Sequence, residues 1–143
     1  YVAGNGPMME QMQRYVREHH MENVKFLGYL QKDEMSEKFY QAKAVIMTSQ
    51  CYEAFAMTIA EAYSYGVPVI AGRVGNMDGM VQDGITGVKF TYNSAEDLAD
   101  KISAFDAMEL SVLKKNARAF YAERLRPEDN YQKLIRIYED ISK

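Results

Sequence analysis

The sequence predicts an α/β domain of the Rossmann type, a parallel sheet with helices on both faces. Three observations carry this. Short apolar runs rich in β-branched residues alternate with longer helical patterns. Most of the runs end in Gly- or Ser-containing turns, where a strand hands over to its crossover helix. With 143 residues, 48% hydrophobic, the chain is large enough for one core and is expected to form one domain over residues 1–143.

Taken in order, residues 1–3 read as the end of a strand, and Gly4-Asn5-Gly6-Pro7 turns it into a helix over 8–20. That helix carries Glu10, Arg14, Arg17 and Glu18, a solvated face. Val24-Lys25-Phe26-Leu27 is a second strand closed by Gly28. Residues 33–43 form a helix with Met35, Phe39 and Ala42 on one face, and 44–47 a third strand. A helix from Ala54 to a left-handed cap at Gly66 follows, stopped by Pro68. Residues 67–71 are an apolar run, a strand covered on both faces. Next comes the loop 72–79, a short helical turn, the turn 83–87 and a strand at 88–90. Ser94 caps a helix that begins with Glu96 and Asp97, and helices over about 106–124 and 127–142 complete the chain. In such sheets ligands sit beyond the carboxyl ends of the strands, so the turns at 4–6, 28–31, 49–55 and 72–76 would share one functional edge.

Residues 52–72 stand out. Between Ala54 and Gly72 the one Asp, Glu, Lys or Arg is Glu61, with Thr58 and Ser64 on its helix face. A carboxylate on a near-apolar helix calls for a partner or a wet cleft. Glu53 stands just before the helix, so two carboxylates bracket a helix N-terminus, a place suited to an anion. Eight helical residues would separate them by about 12 Å, less with Glu53 in a loop, near the length of a sugar–diphosphate–ribose unit. Carboxylates accept paired hydrogen bonds from adjacent hydroxyls. The plainer reading, dipole-favouring Glu53 and solvent-facing Glu61, stands beside this one.

Other classes are disfavoured. Net charge is −3 with Lys and Arg dispersed, unlike a nucleic-acid footprint. The Gly4-x-Gly6 pair lacks the third glycine of a dinucleotide loop. There is no Asp-x-Asp and no His/Cys cluster with ligand spacing, so neither metal nor cofactor is expected. The single cysteine, Cys51, suits a reducing compartment and reads as a buried, inert thiol. No run approaches a membrane span, and no signal peptide is visible. A cytoplasmic location follows, with room for peripheral association of the whole protein at a membrane face. The chain opens on a strand ending without an initiator Met, as though part of something longer.

Glu53-Ala-Phe-Ala-Met-Thr-Ile-Ala-Glu61, followed by Ala-Tyr-Ser-Tyr-Gly-Val-Pro-Val-Ile-Ala, resembles the Glu-x7-Glu motif of retaining glycosyltransferases of the GT-B fold, family 4. Gly4-Asn-Gly-Pro, Val24-Lys-Phe-Leu-Gly and Asp83-Gly-Ile-Thr-Gly87 match its flanking motifs in order, so the resemblance runs to about Phe90. It implies the C-terminal, nucleotide-sugar-binding half of a two-domain enzyme that moves a sugar to a glycan or lipid-linked acceptor, as in polysaccharide biosynthesis. Glu53 would act on the transferred sugar and Glu61 would hold the ribose. Amides near Ala56, Met57 and Thr58, flanked by Phe55, would hold the diphosphate or sugar, and Gly28 and Tyr29 would lie against the base. The donor is a substrate and no metal is implied. The acceptor domain and an earlier strand–helix unit bearing a basic pair would lie outside this chain, leaving the fragment inactive alone. Ala56 replaces the family's usual Gly, and Gly79 stands where Glu is frequent. Arg73 is the nearest candidate cation, with a solvated loop arginine the favoured reading. A related GT-B phosphorylase and a non-catalytic nucleotide-sugar-binding or scaffold module remain the alternatives.

Overall fold

The alternation of apolar runs and helical patterns folds as β1(Val2–Ala3), α1(Met9–Glu18), β2(Phe26–Gly28), α2(Lys32–Gln41), β3(Val45–Met47), α3(Met57–Ser64), β4(Val69–Gly72), α4(Gly75–Met80), β5(Gly87–Phe90), α5(Ala95–Asp106), α6(Leu110–Arg124) and α7(Pro127–Ile141). The structure, a computed structural model, describes residues 1–142. Every strand pairing in it is parallel, as βαβ connections require. The α/β class is therefore the expected one. The strands form two ladders, β1-β2 and β3-β4-β5, and the chain divides into two compact units, Tyr1–Lys38 and Phe39–Lys143.

In the first unit Val2 aligns with Phe26 and Ala3 with Gly28. Helix α1 buries no residue, and Glu10 pairs with Arg14 at 3.6 Å along its exposed face. The larger unit holds the core. All four residues of β4 are buried, as its unbroken apolar run demands. Ile70, Val88, Phe90, Phe105 and Leu113 pack together, with Leu98, Met108 and Leu110 at the margin.

Helix α3 crosses from β3 to β4 and packs against α6. Ile59, Ala60, Ala62 and Tyr63 form its buried face. Its end has the bonds of a Schellman cap: the Gly66 amide donates to the Tyr63 carbonyl at 2.9 Å and the Val67 amide to that of Ala62 at 2.9 Å, with Gly66 at φ 68°. The Tyr63 ring lies edge-on to Phe120, and its hydroxyl shares a 2.7 Å hydrogen bond with the buried Thr86 hydroxyl. Thr86 also accepts the Gln82 amide at 3.0 Å, so the 82–87 turn is tied to α3 through one buried pair.

The same turn sets the register of β5. A Cβ on Gly87 would lie 1.9 Å from the Val69 carbonyl oxygen, so only glycine lets the strands close there. Asp83 accepts the Lys89 amide at 2.8 Å and the Arg73 guanidinium at 2.9 Å. Thus each of Asp83, Thr86 and Gly87 has a distinct mechanical task.

Two boundaries differ from expectation. Helix α3 starts at Met57, not Ala54, because Ala56 at ψ 84° is its N-cap and no side chain continues the turn backwards. Helix α4 starts at Gly75, inside the expected loop, because burial of Met77 and Met80 outweighs the poor helix propensity of Gly75, Asn76 and Gly79.

Gly87→Ala must push β5 off β4 and should cost about 3 kcal/mol or more, read from the urea midpoint at unchanged slope. A loss below about 1 kcal/mol would show that the strands yield easily. For Tyr63, burial pushes the phenol up to about 12 from its ordinary 10.0, with the Thr86 bond acting the other way. The folded state thus keeps a proton that the unfolded chain releases, and this stability is complete below pH 10.0 and falls as pH rises towards about 12. Tyr63→Phe should lose about 1 kcal/mol at pH 7. It should also lose less stability than wild type over that alkaline interval; parallel losses would contradict the assignment.

Candidate functional site

The candidate site lies in the larger unit, where β3 runs out through residues 48–56 into α3. This segment is largely exposed until Ala56, which is wholly buried. Glu53 is half-buried within the loop, and Glu61 is exposed on α3. Neither carboxylate has a hydrogen-bond or ion-pair partner among the described residues. The helical part of their separation, Met57 to Glu61, contributes about 6 Å of rise.

Between them the helix end is without a side-chain cap. The Met57 amide donates to the Phe55 carbonyl at 3.0 Å, and the Ile59 amide to that of Ala56 at 3.0 Å. The positive end of the helix dipole therefore faces the loop that carries Glu53. Phe55 and Met57 are exposed and Thr58 is half-buried, while the Ala56 methyl is closed into the core. Gly28 ends β2 in the other unit with φ 66°, and Tyr29, the residue after it, is exposed.

Two sequence expectations change. Cys51 is exposed rather than buried, because the loop bearing it runs over the surface. Arg73 is no free loop cation. It pairs with Asp83 at 2.9 Å and Asp78 at 3.7 Å, while Lys89 meets Asp78 at 2.9 Å. Two cations are thus matched by two carboxylates at the base of α4. Among the described residues no group of three His, Cys, Asp or Glu is placed to hold a metal. None of the described helices is long and apolar enough to cross a membrane.

Sequence reasoning assigned no role to the amides that hold the loop. Gln50 Nε2 donates to Asn93 Oδ1 at 2.9 Å, and the Tyr92 hydroxyl donates to the Gln50 carbonyl at 3.3 Å. Asn76 Nδ2 donates to the Ala54 carbonyl. Beside them is an open cleft of about 180 Å³ between the turn after β3 (Thr48, Ser49, Gln50) and the turn after β5 (Tyr92, Asn93, Ser94). Both turns lie past the carboxyl ends of their strands, the edge where ligands are expected.

Comparison with known proteins agrees with this architecture. An uncharacterised glycosyltransferase of Methanocaldococcus jannaschii is 26% identical over 143 residues, covering 99% of this chain and 40% of its own. The sulfoquinovosyl transferase of Arabidopsis thaliana is 31% identical over 120 residues, covering 80% and 23%. Among solved structures, Anabaena HepE in complex with UDP superposes with a TM-score of 0.84 at 25% identity, covering 96% of this chain and 40% of that one. This chain therefore spans well under half the length of these relatives. The GT-B neighbours share its parallel sheets flanked by helices. The profile of the family described as "Glycosyl transferases group 1" matches residues 1–118, taking in every strand and the whole loop–helix site, and so the chain belongs to the group 1 glycosyl transferases.

Proposed function

We propose that this chain is the donor-binding domain of a retaining glycosyltransferase, in which α3 carries a nucleotide-diphospho-sugar across its N-terminus. The observation that carries this reading is the pair of carboxylates without a partner among the described residues, Glu53 before the uncapped helix and Glu61 one turn into it. HepE supports the choice of donor class, having been solved with UDP and with UDP-glucose.

In this reading Glu53 takes the hydroxyls of the transferred sugar and supports positive charge developing at its anomeric carbon. Glu61 takes the ribose hydroxyls. The bond that breaks joins the anomeric carbon to a diphosphate oxygen, and the charge left there is met by the Thr58 amide, by the Met57 amide once it turns from the Phe55 carbonyl, and by the helix dipole. Arg73 is already matched by Asp78 and Asp83, so the cations that assist departure come from residues outside this chain. The acceptor, a glycan or lipid-linked sugar, binds a further domain, and neither metal nor other cofactor takes part. The burial of Ala56 supports this reading over a binding-only module, since its methyl is shielded from solvent.

The two glutamates should separate under substitution. In the intact enzyme Glu61→Ala should weaken nucleoside diphosphate binding by about 1–3 kcal/mol through lost bonds to the ribose. Glu53→Gln should leave that binding nearly intact and depress transfer at saturating donor by a large factor. Calorimetry with the diphosphate, beside turnover, measures both; equal losses in both quantities for both variants would overturn the assignment. Residues 1–143 alone should transfer no sugar, and turnover matching that of the whole protein would refute the two-domain reading.

A further inference from the structure

Among the described residues Glu53 has no hydrogen-bond or ion-pair partner, so its carboxylate takes its position from the backbone of the loop. That backbone is fastened from two sides. On the upstream side, the side chain of Gln50 donates to Asn93 Oδ1 at 2.9 Å, and the Gln50 carbonyl accepts the Tyr92 hydroxyl at 3.3 Å. On the downstream side, Asn76 Nδ2 donates to the carbonyl of Ala54, the residue after Glu53.

Each fastening stands on fixed ground. Asn76 sits in the first turn of α4, between Val74 and Met77, which are 5% and 0% exposed. Its neighbour Gly75 brings that turn against the loop. A Cβ there would lie 3.3 Å from Tyr52 Cδ1 and 3.7 Å from the Glu53 amide nitrogen, and Gly75 has φ 52°, which disfavours any side chain. Asn93 has φ 59° and directly precedes Ser94, whose hydroxyl caps α5 by accepting the Asp97 amide at 3.2 Å. Asp97 in turn accepts the Thr91 amide at 2.5 Å, closing the turn that presents Asn93.

We propose that Asn76 and Asn93 are positioning residues that clamp the loop on either side of Glu53 and so hold its carboxylate where the sugar is transferred. The proposal rests on the reading of Glu53 given above. Neither asparagine touches substrate in it; both act through the loop. A carboxylate moved by about 1 Å can cost about a hundredfold in rate, while the amides of α3, anchored by their own buried face, go on binding the diphosphate. The clamp therefore belongs to transfer, not to nucleotide affinity.

The test uses the intact protein with Asn76→Ala and Asn93→Gly, the second chosen because glycine keeps the left-handed backbone. Hydrogen exchange read by mass spectrometry over residues 50–56 needs no knowledge of the donor. Loss of one bond should speed exchange there about fivefold, with the β4 and α6 segments unchanged. Transfer, assayed with the best of UDP-glucose, GDP-mannose and ADP-glucose for the wild type, should fall at least about tenfold, with diphosphate binding within about twofold. In a Glu53→Gln background neither change should lower transfer further. Unchanged exchange at 50–56 would overturn the clamp, as would a loss of transfer that persists undiminished without the Glu53 carboxylate. If Glu53→Gln by itself transfers at the wild-type rate, the role of Glu53 fails and with it the link from clamp to transfer.

Discussion

Burial of one face of α3 is the constraint on which the rest of the larger unit depends. Ile59, Ala60, Ala62 and Tyr63 commit the helix to the core, and the Tyr63–Thr86 bond links it to the turn that feeds β5. Both partners are buried, so breaking the pair strands polar groups away from water. The opposite face can then carry Glu61 at the surface without structural cost. One helix thus serves stability on one side and leaves a carboxylate open to a ligand on the other.

The loop before that helix is held by fewer buried contacts than the helix itself. The helix end is fixed by burial of Ala56, whereas the preceding loop rests on single hydrogen bonds and on the close approach of Gly75 to Tyr52. The charges below α4 play a different part. Arg73, Asp78, Asp83 and Lys89 neutralise one another, and being partly exposed they add little to stability. They flank α4, whose start, and with it the place of Asn76, is set by the burial of Met77 and Met80.

Much of this was legible in the sequence because it depends on local pattern. The strands follow from apolar runs, the end of α3 from Gly66 and Pro68, and the two carboxylates from their contrast with an apolar helix. The start of α3 was not legible, since Ala54 and Ala56 are strong helix formers and only tertiary burial decides where the turn begins. Helix α4 was hidden for the converse reason: glycines concealed a turn that Met77 and Met80 hold in place. Asn76 and Asn93 left no signal at all. A single exposed amide has no periodicity, and its partner lies 22 or 43 residues away.

The central claim is that the nucleotide-sugar lies across the N-terminus of α3. A crystal structure of the intact protein with a nucleoside diphosphate tests it most directly. The diphosphate should lie within hydrogen-bonding reach of the Met57 and Thr58 amides, with the ribose hydroxyls on the Glu61 carboxylate. A diphosphate seated instead in the cleft between Thr48 and Asn93, with Glu61 left in solvent, would contradict it.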